Sequence, residues 1–379
     1  MNMCFLKNAR KLGLICLWLL LTTQAIAETS ENKPTLEQLL QAREGWEVKS
    51  QEGDAAASAR LGALYLSGSL GPPDFSKARK YLELGSEADL SARLAYGHLL
   101  MNGLGGKVDL SGAEQAFAKA AAQGSLEGLY LKAKLVLGRK ASNSEVRSAV
   151  GDIGNAANLG FPPALSTIGE FHRTGTFLEK NPDRAVEFFL KAAESGYAEA
   201  LSDVAEMYLF SELGRENTGE AERYYREAIS KGVKPANYSL AFLLYNKDPN
   251  NQKQLKEAFR IAKIAALAWD ERSQYLLGLM YYEGLAVPKD VEQAFFWLDL
   301  AASAGDVGQP VGIDDEAFPV RVPGAARIVE IERRRERGPD FRTSLAHLVE
   351  IARGAGQLDD EQVAGNVVLH ADQRRLERR

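Results

Sequence analysis

The segment LGLMYYEG, Leu277 to Gly284, places a glycine inside an apolar, aromatic-rich run that otherwise reads as helix. Glycine in a helix interior costs roughly 1 kcal/mol relative to alanine. The same skeleton stands at LGALYLSG, Leu61 to Gly68, and a close variant at TIGEFHRTG, Thr167 to Gly175. The glycine therefore belongs to a repeat, and its physical reason must hold several times over.

Helix-ending segments such as AKAAAQG, IGNAANLG and LKAAESG set the period. Gly53, Gly124, Gly160, Gly196, Gly232 and Gly305 form a ladder, and the 252 residues from first to last are seven periods of 36. Asp89 and Trp269 are read as substitutes at the two rungs without glycine. A period in this range means a solenoid, with one supersecondary unit stacked on the next.

Each unit reads as two helices. In the last, Ser273, Leu277 and Tyr281 form one apolar stripe at about 100° per residue. The turn GLAVPKD follows, then VEQAFFWLDLAASAG, with Gly305 as its C-cap. Equivalent stripes are Ala57, Leu61 and Tyr65; Ala92, Tyr96 and Leu100; Ala164, Ile168 and His172; Ala200, Val204 and Tyr208; and Ala236, Leu240 and Leu244. The third unit is eroded: Glu127, Leu131 and Leu135 take the slots, and Lys132 replaces the glycine. A lone helix near Thr35 to Ser50 opens the array. Gly62, Gly97, Gly169 and Gly278 flank these stripes, where a missing side chain lets a neighbouring helix approach closely.

These residues resemble the Sel1-like repeat family. The last unit matches its pattern through Leu277-Gly278, Tyr281, Gly284, Asp290, Ala294, Trp297, Ala301-Ala302 and Gly305, and the likeness runs from about Thr35 to Gly305. The resemblance implies an all-α fold: a right-handed α-solenoid of about seven 36-residue two-helix repeats, related to tetratricopeptide repeats. It implies a protein-binding role, often in bacterial envelopes. Cysteine-rich members resembling β-lactamases carry a disulfide in each repeat, and the repeats of this chain have no cysteine.

The ends of the chain differ from its middle. Residues 1–27 read as a signal peptide, with basic Lys7, Arg10 and Lys11, the apolar stretch LGLICLWLLL, and a small-residue site at Ala25-Ile26-Ala27. Cys16 lies inside the apolar stretch, so cleavage after Ala27 is preferred to a lipid anchor. Cleavage removes both cysteines and takes the formal charge from -5 to -8. The mature chain would then be stabilised by burial alone, and its mild acidity argues against nucleic acid or anionic lipid as the main partner. Residues 28–53 are read as an N-terminal capping helix, 54–305 as the solenoid, and 306–379 as a linker with an Arg-rich charged region. That last region holds twelve arginines, fourteen acidic residues and no lysine. It marks a capping region, a disordered tail or a frame-altered end, and no function is assigned to it.

No catalytic constellation is present: the sequence has no HExxH, GxSxG or phosphate-binding glycine loop. The four histidines, His98, His172, His347 and His370, lie far apart, and His172 takes a Tyr slot and reads as packed core. Phe188-Phe189, Tyr224-Tyr225 and Phe295-Phe296-Trp297 also read as core. The expectation is therefore a non-enzyme without cofactor or metal.

The informative residues lie opposite the stripe. Slots at -2, +2 and +5 from the stripe Leu fall at about 160°, 200° and 140° around the first helix. In related two-helix solenoids this face lines the concave groove. Late repeats place Tyr238, Phe242, Tyr245, Tyr275 and Tyr282 there, joined by Arg272 and Glu283. Earlier repeats offer Ala59, Ala63, His98, Ser166, Glu170 and Arg173. Aromatic residues turned away from their own repeat's core have the composition of binding hot spots. The resulting expectation is a periplasmic protein-binding solenoid that meets a membrane only during export. The family resemblance offers two partner classes: a secreted lipase-type toxin effector bound by an immunity protein, or an envelope complex such as exopolysaccharide secretion.

Overall fold

The computed structural model describes residues 34–303 apart from 211, 215 and 216. The expected signal peptide and cleavage site, the expected Gly305 cap and the 306–379 region lie outside the described residues. Among the described residues there are fifteen helices and no strand, in agreement with the expected all-α fold of two-helix repeats. The chain divides into two compact units at Tyr197/Ala198.

Unit 1 opens with α1 (Leu36–Gln51), followed by four helix pairs. These are α2 (Ala55–Ser67) with α3 (Phe75–Gly85), α4 (Leu90–Asn102) with α5 (Leu110–Ala122), α6 (Leu126–Gly138) with α7 (Asn143–Asn158), and α8 (Pro162–Thr174) with α9 (Pro182–Glu194). Unit 2 holds three pairs: α10 (Ala200–Leu209) with α11 (Thr218–Ser230), α12 (Ala236–Lys247) with α13 (Gln252–Leu267), and α14 (Glu271–Glu283) with α15 (Val291–Ser303). The opening helix starts at a capping box, in which the Gln38 amide N–H donates to Thr35 Oγ1 at 3.2 Å and the Thr35 N–H to Gln38 Oε1 at 2.8 Å.

One hydrogen bond recurs at most turns. The residue that caps the second helix donates its N–H to the carbonyl of the Tyr-slot residue: Asp74 to Tyr65 at 3.0 Å, Asn181 to His172 at 2.8 Å, Asn217 to Tyr208 at 2.9 Å and Asp290 to Tyr281 at 3.0 Å. The side chain of the same residue accepts from the new helix, as Asp74 does from the Lys77 N–H at 3.0 Å. The turn residue thus fixes both helix ends at once. Gly68, Gly103, Gly175 and Gly284 close the first helices in the left-handed region, with φ between 68° and 75°.

The stripe is the core. Leu61, Leu277, Val204 and Leu240 are buried, and the Ala slot is filled by Ala57, Ala92, Ala164, Ala200, Ala236 and Ser273, all buried. The glycines on its flank sit beneath large side chains of the second helix. A Cβ built on Gly62 would lie 2.5 Å from Leu82 Cγ, on Gly97 2.6 Å from Phe117 Cε1, on Gly169 2.9 Å from Phe189 Cδ1, and on Gly278 2.7 Å from Leu298 Cγ. Close approach is therefore their reason, as the pattern required. His172 is buried, donates from Nδ1 to the Glu179 carbonyl at 2.9 Å and stacks on Phe188, as a packed core histidine should.

Two register assignments and one exposure assignment are corrected. In the third repeat the buried residues are Gly128, Ala133 and Val136, one position beyond the expected slots. Ala133, wholly buried, holds the small-residue position, while Lys132 takes the Leu slot and pairs with Asp152 at 2.7 Å. Asp89 does not replace a helix-ending glycine. It caps α4 by accepting from the Ala92 N–H at 2.6 Å, so the first repeat is one residue shorter than the period. His98 is not a surface group of the groove: it is buried at 5 % exposure, with Nε2 3.2 Å from Glu127 Oε1 and its ring edge-on to Phe117.

Trp269 does stand at a glycine rung. Its φ of 67° matches the left-handed Gly124, Gly160, Gly196 and Gly232. A bulky residue is strained there by roughly 1–2 kcal/mol. Its indole packs against the cluster of Ala266, Leu277, Trp297 and Leu300, and that burial offsets the strain.

Candidate binding face of the second unit

The first helices of unit 2 bring most of the expected site residues together. Tyr238 is buried at 6 % exposure, so it supports the surface from beneath. The Arg272 guanidinium lies 4.6 Å above its ring, and Phe242 stacks on it at 5.7 Å. Arg272 is held by Asp270, the N-cap of α14, at 3.7 Å. Tyr245 donates its hydroxyl to Glu283 Oε2 at 2.5 Å, tying α12 to α14. Tyr275 and Tyr282 are half-buried, and neither hydroxyl makes a hydrogen bond among the described residues. Lys289, in the turn after α14, sits 4.5 Å over the Tyr282 ring.

The sequence reading missed Asp270, Lys289 and Leu279. Leu279 occupies the +2 slot of the last repeat and is buried at 9 % exposure. The Asp270 partnership was visible in outline, because an aspartate two residues before Arg272 both caps the helix and reaches its guanidinium. Lys289 carried no such signal, since its position depends on the fold of the turn.

The electrostatics of the face follow from its burial. Desolvation pushes the Tyr238 hydroxyl up to about 12, opposed by Arg272 and reinforced by Asp270 and Tyr275. Burial, and then the bond to Glu283, raise Tyr245 further, and burial raises Tyr275. All three are held neutral in the folded state. For Tyr238 the contribution to stability is complete below the unfolded tyrosine pKa of about 10 and is lost as pH climbs from there through about 12, and the raised Tyr245 and Tyr275 lose theirs in the same direction. An ultraviolet titration should show a block of late-ionising tyrosines whose release coincides with loss of helix signal. Three tyrosines titrating normally before any unfolding would contradict this packing.

The corresponding face of unit 1 has different chemistry. With the third repeat in its observed register, Tyr130 and Lys134 take the -2 and +2 slots. The Tyr130 hydroxyl lies 3.0 Å from Thr167 Oγ1, and burial pushes the Lys134 ammonium down while Glu170 opposes it. Glu170 pairs with Arg173 at 3.6 Å; Ala59, Ala63 and Ser166 are half-buried. Aromatic surface is therefore concentrated in unit 2. Among the described residues no group of three or more His, Cys, Asp or Glu side chains is placed to hold a metal ion.

The Sel1 repeat model matches residues 55–90, 90–125, 162–197, 198–233, 229–247 and 272–306. The chain belongs to the Sel1 repeat family. Two intervals inside the array have no match, 126–161 and 248–271, and the first is the repeat in which Lys132 and Ala133 replace the usual Leu-Gly. Among solved structures, a Sel1 repeat protein from Oxalobacter formigenes is 23% identical, with 81% of this chain and 88% of that one covered and a TM-score of 0.51. A protective antigen of uropathogenic Escherichia coli strains, described as having an SLR fold, is 20% identical over 76% of this chain and 61% of that one, with a TM-score of 0.52. An immunity protein from Pseudomonas aeruginosa is 18% identical over 66% of this chain and 81% of that one, at a TM-score of 0.41. The first two likenesses speak to the fold alone. No curated protein matches the sequence. Sel1 repeat solenoids are protein-binding scaffolds, and this chain presents such a scaffold with one aromatic face.

Proposed function

We propose that this Sel1 repeat chain is an exported periplasmic protein that binds a secreted lipase-type toxin effector on the first-helix face of unit 2. One observation carries the binding half of this reading: half-buried Tyr275 and Tyr282 beside the Tyr245–Glu283 bond, on a platform of Tyr238 and Arg272. Tyrosines held in this way lose little conformational freedom on binding and combine apolar area with an available hydroxyl. The choice of an effector as partner is supported by the signal-like residues 1–27 and by the family resemblance.

The test is co-purification with an effector encoded beside the gene, together with inhibition of that effector's lipase activity. Tyr245→Ala and Tyr282→Ala should each weaken the complex by about 2 kcal/mol, the scale of a buried aromatic anchor. Tyr281→Ala is the control. Its ring packs edge-on to Phe259 at 5.1 Å and joins the Leu277–Trp297 cluster, so its loss should lower the melting temperature first. If Tyr282→Ala melts the protein as badly as Tyr281→Ala, the face is core. A partner drawn instead from an envelope assembly would make the chain a scaffold and remove the effector reading.

A further inference from the structure

The tyrosine face of unit 2 is unevenly charged. Measured around each first helix from the stripe Leu or Val, Glu271 and Glu283 fall between about 120° and 260°, the sector that also holds the tyrosines; Asp203 and Glu206 fall there too but have interaction partners of their own. Among the residues of these three helices, Arg272 is the one cation in that sector. It is already occupied by Asp270 and by the Tyr238 ring. Lys247 points to the second helices, where its ammonium meets Glu222 at 2.8 Å.

Glu283 is the focus. It is exposed, and it accepts the Tyr245 hydroxyl on Oε2, while Oε1 accepts no hydrogen bond among the described residues. A carboxylate has about four acceptor sites, so most of its capacity is unused. Tyr275 and Tyr282, seven residues apart on α14, lie on the same side of the helix, and Lys289 already covers one face of the Tyr282 ring. A carboxylate beside half-buried tyrosines suits a weakly hydrated planar cation that donates a fork of hydrogen bonds. Arginine is such a cation; lysine offers a compact, strongly hydrated charge.

We infer that this face receives an arginine side chain of the partner protein, its guanidinium paired with Glu283 beside the α14 tyrosines. The inference rests on the reading of this face as a binding surface and specifies the chemistry of what it binds. Glu283 then acts as the counter-charge, Tyr245 orients its carboxylate, and the Tyr275 hydroxyl accepts from a guanidinium N–H. The net acidity of the sector draws in a basic segment of the partner and disfavours an acidic one.

The test uses the full chain and a synthetic peptide with four arginines spaced by glycine and serine, beside its lysine and glutamate analogues. Calorimetric titration should show binding of the arginine peptide that weakens with salt, weaker binding of the lysine form, and none of the glutamate form. Glu283→Gln and Tyr275→Phe should each reduce the affinity by about fivefold or more, while melts stay unchanged. Glu87→Gln, at an exposed acid of unit 1, should have no effect. Equal loss on Glu87→Gln would mean diffuse attraction and overturn the inference, as would no binding by the wild type. Binding that emerges only after Arg333, Arg334 and Arg335 are replaced by alanine would mean that the chain's own tail fills the face, and would also overturn it. If an effector complex is weakened by Tyr282→Ala and indifferent to Glu283→Gln, the binding face stands and the arginine inference alone fails.

Discussion

Gly278→Leu should destabilise the protein by roughly 3 kcal/mol in urea melts, the upper end of the usual range for overpacking. The first added atom already lacks space: a Cβ at this position falls 2.7 Å from Leu298 Cγ, 3.0 Å from Leu298 Cδ2 and 3.2 Å from the Ala294 carbonyl oxygen. Leu298 cannot swing away freely, because it is itself buried at 5 % exposure. Three further carbons would drive α14 and α15 apart and open the Leu277–Trp297 cluster beneath them. Gly45 in α1 is the control, since a Cβ there meets nothing within 4 Å. Gly45→Ala should raise stability by up to about 1 kcal/mol through helix propensity. Similar behaviour of the two glycines would remove the close-approach explanation for the repeat.

The two-helix repeat was legible because its determinants are local and periodic. A buried stripe, a flanking small residue, a turn aspartate or asparagine and a closing glycine each have one physical role, and each role recurs. The register of the third repeat was not legible from apolar spacing. Its first helix, LEGLYLKAKLVLG, has leucine or valine on several faces, so a stripe through Leu131 and Leu135 fits as well as the observed one. Size at the helix contact decides instead. Gly128 faces Ala120 with room for no side chain, a Cβ there falling 2.7 Å from Ala120 Cβ, and wholly buried Ala133 follows five residues on. Lysine at the Leu slot is tolerable because Asp152 lies within reach at 2.7 Å. Asp89 was misplaced for a related reason. A strict count of 36 drew it to a glycine rung, although an aspartate followed by Leu-Ser-Ala has the form of a helix N-cap.

Helical geometry alone assigns the seven candidate residues to one sector of their helices. What it left out were interactions between neighbouring repeats. Tyr238 reads as a surface residue when its own helix is considered and becomes buried once α14 supplies Arg272. The Tyr245–Glu283 bond spans 38 residues and has no signature within either helix. His98 shows the same limit in unit 1, where Glu127 of the next repeat encloses it. Face assignment is a property of one helix; exposure is a property of the stack.

Gly85→Ala is expected to cost about 3 kcal/mol, although it is the smallest possible substitution and helix propensity favours it by roughly 1 kcal/mol. Gly85 ends α3 and is buried. A Cβ there would lie 2.6 Å from both the Cα and the N of Ala59, and 2.8 Å from its Cβ. These are mostly backbone atoms of α2, so relief requires the helix to move, whereas at Gly278 a side chain can absorb part of the strain. Repeat averaging points the other way. Ala120, Ala156, Ala192 and Ala228 occupy the equivalent slot in the next four repeats, all wholly buried, and a substitution chosen to match the repeat pattern would install alanine at 85. The measurement therefore separates local geometry from repeat consensus. A stabilised Gly85→Ala protein would show that α2 and α3 settle at the same spacing as the other pairs. A loss of about 3 kcal/mol with an unchanged urea m-value would show that the α2–α3 approach is closer and is fixed by this one glycine.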